Sequence, residues 1–299
     1  MSERLSRRAA VRRMAAAAAF VGASGNAPLT HASAPRTGTP PGTSPGATAG
    51  ALQHSVCKWC YPDFTVEELA REVSRMGISS IELLDPDDWP ALSKYDLVCA
   101  MANGPGGITE GWNRTEHHER LIAGALDRLP KVANAGYPNM IVFSGNRAGM
   151  DDEEGLENCA KGLKQIMSAA ERHGVTVCME LLNSKVNHPD YMCDHTAWGA
   201  ELVRRVGSER FKLLYDIYHM QIMEGDVIRT IRDNAEYIGH YHTAGNPGRN
   251  EIDETQELNY RAIAQAIKDT GFTGFIAQEF VPTRDPMVSL RQGVEICDV

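Results

Sequence analysis

Four segments in the second half of the chain share one pattern: VTVCME (175–180), FKLLYD (211–216), YIGHYH (237–242) and FIAQE (275–279). Each begins apolar and ends in a side chain able to bind a hard metal ion, namely Glu180, Asp216, His242 or Glu279. Steps of 36, 26 and 37 residues separate these positions, and each step can hold one strand, one crossover helix and two loops. The pattern therefore predicts that successive parallel strands carry one ligand each.

Strand-like and helix-like stretches alternate through residues 51–299, and eight such units can be counted. This alternation is typical of a parallel sheet with crossover helices. The length of the region matches the roughly 250 residues of an eightfold barrel. We therefore expect an α/β fold with a single (β/α)8 TIM barrel. Because active sites of such barrels form where the carboxyl ends of the strands converge, the four ligands should meet there.

The expected element boundaries follow from apolar spacing and turn residues. Besides the four segments above, strands are predicted at 55–61, 80–84, 97–101 and 139–143. Helices are predicted at 65–76 with Thr65 as N-cap, at 114–136, at 152–173 ended by Gly174, at 256–270 and at 285–296. Two further helices are predicted to end at Gly207 and near Asn234.

The first fifty residues have a different composition from the rest, dominated by Ala, Gly, Pro, Ser and Thr. Ser6-Arg7-Arg8 and Arg12-Arg13 precede a short, weakly apolar run, as in a twin-arginine export signal. We expect residues 1–34 to be that signal, residues 35–50 to be a flexible Pro/Gly/Thr-rich linker, and the mature protein to be periplasmic. The apolar run is too short to span a bilayer, so no stable membrane anchor is expected after processing.

The charge and the cysteines narrow the range of functions. Residues 1–34 contain five Arg and one Glu, so a whole-chain charge of −9 leaves −13 for the remainder. Such an acidic body argues against nucleic-acid binding. The seven Cys imply no disulfide framework. Cys57 and Cys60 have CxxC spacing, but we interpret them as core residues because positions i and i+3 of a predicted strand point to opposite faces.

Three carboxylates and one imidazole at a barrel mouth favour a divalent ion. Mn²⁺ or Mg²⁺ suits this ligand set best, Co²⁺ is compatible, and Zn²⁺ usually takes more N and S ligands. A strand-end Glu or Asp taken alone is more often a loop cap or an ion-pair partner. Three unpaired carboxylates in one barrel mouth are costly, however, and a shared cation relieves that cost.

Further stretches resemble those of a known family. They are KWCY (58–61), IVFSGNR (141–147), MELLN (179–183), YDIYH (215–219), HTAGNPGR (242–249), Asn259-Tyr260 and QEF (278–280). Together they make residues 51–299 similar to the hydroxypyruvate isomerase branch of the xylose-isomerase-like TIM barrels, which also includes ketose 3-epimerases. The resemblance implies that Glu180, Asp216, His242 and Glu279 hold one divalent metal. It also implies that Glu180 and Glu279 are the catalytic carboxylates, and it leaves open which is the base in the forward direction.

Two further residues are predicted to bind substrate. By resemblance, His219 points at a substrate oxygen; a loop-packing histidine or a fifth metal ligand are the alternatives. Arg249 follows the turn at 246–248 and could bind a substrate carboxylate through two parallel hydrogen bonds. The alternative for Arg249 is a surface residue after a tight turn. Lys58 and Trp59 are expected to line the mouth.

The predicted function is a metal-dependent isomerase of a small hydroxy-carbonyl compound, with hydroxypyruvate to tartronate semialdehyde as the leading reaction. A ketose 3-epimerase using the same two Glu is the first alternative, and an exported non-catalytic barrel that binds a sugar or metal is the second. A hydrolase of the endonuclease type is disfavoured, because it would need more strand-end His and a basic groove. The expected partner is a small-molecule hydroxy-carbonyl or sugar substrate, and a homo-oligomer is left open.

Overall fold

Seven parallel strands form one curled sheet in the computed structural model, which describes residues 52–299. Within that range the sheet order is β2-β1-β7-β6-β5-β4-β3. The strands are β1 (Gln53–Cys57), β2 (Ser80–Glu82), β3 (Asn139–Val142), β4 (Thr176–Glu180), β5 (Phe211–Asp216), β6 (Ile238–Thr243) and β7 (Phe275–Gln278). Most strand residues are buried, as expected for a parallel sheet covered by helices.

The edges β2 and β3 are joined through the segment that was predicted as a strand at 97–101. This segment is not a full strand in the structure; it makes isolated parallel bridges from Val98 to Ser80 and from Ala102 to Leu84 and Met140. Backbone hydrogen bonds from Ile141 N–H to the Ala102 carbonyl (3.0 Å) and from Ala102 N–H to the Asn139 carbonyl (3.0 Å) complete the closure. The closed sheet with its surrounding helices is a (β/α)8 TIM barrel, which confirms the predicted fold class.

Helices follow the strands and cover the outside of the sheet. They are α1 (Val66–Arg75), α2 (Trp89–Ser93), α3 (His118–Asn134), α4 (Asp152–His173), α5 (Thr196–Val206), α6 (Ile217–Met223), α7 (Val227–Asn234), α8 (Tyr260–Asp269) and α9 (Pro286–Cys297). Thr65 caps α1 in a reciprocal capping box with Glu68, as predicted. Gly174 ends α4 in the left-handed conformation (φ 69°), which glycine adopts without steric cost.

Three predicted boundaries were wrong, each for a local reason. The first strand ends at Cys57, because the backbone of Lys58–Cys60 turns into a 3₁₀ helix. The single helix predicted to end near Asn234 is two helices, α6 and α7, since Gly225 (φ 67°) and Asp226 (φ 43°) take left-handed conformations between them. The helix predicted from residue 256 begins only at Tyr260.

The cysteines and the hydropathy of the helices can also be compared with the sequence predictions. All seven Cys are free and buried, in agreement with a core role. Among residues 52–299, no helix combines the length and apolarity needed to cross a bilayer. The predicted export signal (1–34) and the predicted linker (35–50) lie outside the described residues.

Candidate metal centre and active site

The four strand-end residues meet at the carboxyl end of the barrel. Glu180 and Asp216 are the last residues of β4 and β5, His242 lies near the end of β6, and Glu279 follows β7 directly. One ligand atom from each lies within 4.8 Å of the others. Neighbouring register explains the meeting, since Asp216 pairs with His242 and His242 pairs with Ala277 across adjacent strands. The spacing pattern of the sequence is thus realised as one cluster.

The cluster has the charge and burial of a cation site. Asp216 and His242 are fully buried, and Glu279 and Glu180 are 3% and 5% exposed. Burial raises the pKa of both Glu180 and Asp216, because a carboxylate removed from water loses the solvation that stabilises its charge. With all three carboxylates ionised, the one nearby guanidinium leaves a net charge of −2, which a divalent ion would neutralise. The donor set therefore fits a hard divalent cation.

The two glutamates have different surroundings. The Glu279 carboxylate accepts hydrogen bonds from the indole N–H of Trp59 (2.8 Å) and from Arg249 Nη2 (2.5 Å), and lies 2.8 Å from His242 Nδ1. Although burial raises the pKa of Glu279, Arg249 and His242 hold it well below its ordinary value. Glu180 makes one long contact among the described residues, 3.6 Å from Oε1 to His242 Nδ1. Glu180 is therefore the carboxylate with more free lone pairs.

Arg249 is held in a fixed place beside the cluster. Its backbone has a φ of 60°, which costs a non-glycine residue roughly 1–2 kcal/mol. Two backbone hydrogen bonds retain it, from Arg249 N–H to Gly245 and from Val281 N–H to Arg249, both 2.8 Å. A strained residue held this way at a barrel mouth indicates a position selected for its side chain.

The Arg249 guanidinium faces inward and is 12% exposed. Nη2 donates to Asp216 Oδ2 (3.1 Å) and to Glu279, Nη1 lies 2.5 Å from His219 Nε2, and Nε donates to the Glu279 carbonyl (3.4 Å). Trp59 and Tyr218 rings each lie 5.2 Å from the guanidinium carbon. Nη2 and Nε use three of the five N–H donors of the guanidinium, so an N–H of Nη1 remains for a ligand. Carboxylate binding through two parallel N–H groups, as predicted from sequence, stays a prediction.

His219 lies between Arg249 and the loop that follows β4. Asp216 Oδ1 accepts from the His219 backbone N–H (3.0 Å) and so caps α6, which fixes the ring over the site. Its Nδ1 accepts from the Asn183 backbone N–H at 3.1 Å. Burial and the Arg249 charge lower the pKa of His219 well below its ordinary value, so the ring is neutral.

The sequence reasoning missed one buried residue of this region and underrated another. Glu82, at the end of β2, lies 2.7 Å from His242 and 2.8 Å from His240. A Glu inside the apolar stretch ISSIELL (78–84) was the signal that could have identified it. Trp59, expected only to line the mouth, is 47% exposed and hydrogen-bonds Glu279.

The chain is similar in sequence to a known family and to proteins named as isomerases. Residues 70–297 match the model of the family described as xylose isomerase-like TIM barrel. A Homo sapiens protein named "putative hydroxypyruvate isomerase" is 33% identical over 252 residues, covering 78% of this chain and 90% of its own. A 2-oxo-tetronate isomerase of Pectobacterium atrosepticum is 27% identical over 223 residues, covering 69% and 82%.

A solved structure has a similar fold. The crystal structure of a protein named AP endonuclease, family 2, from Brucella melitensis superposes with a TM-score of 0.74 at 24% identity, covering 82% of this chain and 98% of that one. At this identity the similarity shows the fold alone.

Proposed function

Since the chain belongs to the xylose isomerase-like TIM barrel family, we propose that it is a divalent-metal-dependent isomerase of small α-hydroxy carbonyl compounds. The observation that carries the proposal is the buried cluster of Glu180, Asp216, His242 and Glu279. Mn²⁺ or Mg²⁺ is the proposed ion, with Co²⁺ and Zn²⁺ as alternatives. When bound, such an ion polarises a substrate carbonyl and acidifies the adjacent C–H bond.

The proposed substrate class is a 2-oxo-3-hydroxy carboxylate. The relatives named for hydroxypyruvate and for 2-oxo-tetronate share this chemistry, a carboxylate next to a ketone next to a hydroxylated carbon. Hydroxypyruvate, converted to tartronate semialdehyde, is the first substrate to test. The free N–H of Arg249 would bind the substrate carboxylate, and the neutral ring of His219 would contact a substrate oxygen.

The two glutamates would move the proton. One carboxylate removes a C3 proton, and the electron pair forms an enediolate of the substrate. The O3 proton moves to O2, and a proton returned to C2 leaves the aldehyde at C3. Glu180 is favoured as the first base, because its oxygens make fewer hydrogen bonds than those of Glu279. The indole N–H of Trp59 and the Arg249 guanidinium would orient Glu279 as the second carboxylate.

Deuterium exchange tests the reaction. The protein is loaded with Mn²⁺ and incubated with hydroxypyruvate in D₂O, and deuterium at the α-carbon is followed by NMR. Wash-in with product formation supports the isomerase. Exchange with six-carbon ketoses but not with hydroxypyruvate would favour the ketose 3-epimerase instead. Tight binding of a substrate without any exchange would favour the non-catalytic barrel.

Variants separate proton transfer from metal binding. Glu180→Gln and Glu279→Gln are each expected to lose exchange even when saturated with Mn²⁺. Asp216→Asn is the matched control, because Asn keeps an oxygen to cap α6 and removes only one ligand charge. Exchange should return in Asp216→Asn at high Mn²⁺. Full activity in either Gln variant contradicts the two-carboxylate mechanism.

Export through the twin-arginine route is proposed separately from the chemistry. Changing Arg7 and Arg8 to Lys should retain the chain in the cytoplasm, since the paired arginines of the signal are removed. Fractionation of cells that express either form measures this. Equal periplasmic amounts of both forms would exclude the route.

A further inference from the structure

Glu82 is a fully buried carboxylate that the four-ligand cluster does not use. Its Oε1 lies 2.8 Å from His240 Nε2 and 2.7 Å from His242 Nε2. Its second oxygen has no hydrogen-bond partner among the described residues. Burying such a charge costs several kcal/mol unless its contacts compensate. A residue that costs stability at this depth calls for a reason other than packing.

The contact between Glu82 and His242 crosses the interior of the barrel. Glu82 ends β2, whereas His242 lies on β6, and β1 and β7 separate those strands in the sheet. His240 and His242 are two residues apart, so both side chains point to the same face of β6. The pair therefore reaches inward toward Glu82, with ring centroids 5.2 Å apart.

The two nitrogens of His242 face different partners. Nε2 faces Glu82, while Nδ1 faces the ligand cluster, 2.8 Å from Glu279 and 3.6 Å from Glu180. Both partners are carboxylates, which only accept hydrogen bonds when ionised, so a divalent ion in the cluster would decide the tautomer. The ion would take the Nδ1 lone pair, and the ring proton would then lie on Nε2, where Glu82 accepts it. That tautomer leaves the Nδ1 lone pair directed at the cluster. Metal-binding histidines are commonly oriented by a carboxylate on their other nitrogen.

We propose that Glu82 is a positioning residue, which holds the His242 ring and its tautomer so that Nδ1 is presented to the divalent ion. The proposal rests on the metal centre proposed above and deepens it. His240 contacts the same Glu82 oxygen, but only His242 belongs to the four-ligand cluster.

Metal affinity tests the proposal without any measurement of turnover. In Glu82→Gln, the new amide can donate to Nε2 and move the ring proton to Nδ1, so the Mn²⁺ dissociation constant should rise about 10- to 100-fold. Glu82→Asp keeps the carboxylate but withdraws it by one methylene, so it should weaken binding less. His240→Phe is the matched control, since it removes the second imidazole contact of Glu82 and leaves His242 in place. Its Mn²⁺ affinity should stay close to wild type.

Titration calorimetry with Mn²⁺ measures these constants, and circular dichroism confirms that each variant is folded. If Glu82→Gln does not fold, the Mn²⁺ affinity of Glu82→Asp and the ¹⁵N spectrum of the wild-type His242 ring test the proposal instead. The ¹⁵N spectrum of the Mg²⁺-loaded wild-type protein should show the His242 proton on Nε2.

Unchanged Mn²⁺ affinity in Glu82→Gln would overturn the proposal; where that variant does not fold, unchanged affinity in Glu82→Asp would do so. A loss of Mn²⁺ affinity in His240→Phe equal to that in Glu82→Gln would also overturn it. So would a His242 ring proton on Nδ1 in the Mg²⁺-loaded wild-type protein. A wild-type protein that binds no divalent ion would overturn the metal centre as well, so the two failures are distinguishable.

Discussion

Glu251 follows the turn that contains Arg249 and binds it to the beginning of α9. Replacement of the Glu251 carboxylate should destabilise the protein in a pH-dependent way. The side chain is 5% exposed. It accepts from the Thr283 backbone and hydroxyl (both 2.9 Å), the Ser289 hydroxyl (2.9 Å) and the Arg284 backbone (3.3 Å). Although burial raises the pKa of Glu251, these donors and its own backbone N–H lower it to about 2.

The magnitude follows from that pKa. A fall from the ordinary value of 4.5 to about 2 corresponds to about 3 kcal/mol of folding free energy at neutral pH. Screening by solvent at this loop reduces the expectation to about 2 kcal/mol. Because the folded pKa is the lower one, this stabilisation is present above pH 4.5 and is lost as the pH falls toward 2. By pH 3.5 about half should remain.

Urea unfolding of wild type and Glu251→Gln at pH 7 and pH 3.5 measures the difference. Gln resembles the protonated acid, so the two proteins should differ by about 2 kcal/mol at pH 7 and by about half as much at pH 3.5. Glu254→Gln is the control, since this neighbouring residue is exposed and should change stability by less than about 0.5 kcal/mol. A difference that stays constant with pH would refute the role of the ionised carboxylate.

Three further predictions concern the ion, the mouth and the first helix. Chelation of a metal-loaded sample should lower the unfolding free energy by about 2.7 kcal/mol relative to a sample with free ion at 100 times its dissociation constant; equal thermal midpoints would contradict a metal centre. Trp59→Phe removes the donor to Glu279 but keeps a ring beside Arg249, so kcat/KM should fall about tenfold, and an unchanged value would show that the indole N–H is dispensable. Thr65→Ala breaks the capping box with Glu68 and should cost about 1 kcal/mol of stability without changing deuterium exchange, whereas Thr65→Ser should retain it.

Local signals account for the part of this fold that the sequence predicted. The helix at 152–173 was predicted with its bounds, because an acidic N-terminus and Gly174 mark both ends in the local sequence. The strand at 97–101 was wrong in detail, since only the positions of β2 and β3 decide how many of its residues can pair. The break at Gly225 was also missed, because an isolated glycine in a helical pattern does not reveal its φ.

The candidate site likewise contains residues that local sequence signals predict and one residue that they do not. Glu180, Asp216 and Glu279 were found because each stands at the end of an apolar run, and strand ends of a parallel barrel share one face. Glu82 escaped because its partner His242 is 160 residues away and lies across the barrel interior. Periodicity tells which face of a strand a residue occupies, but it does not tell which residue faces it through the centre of the barrel. The ligands of the candidate metal centre are therefore readable from sequence, whereas the group proposed to orient one of them becomes visible only when the sheet is closed.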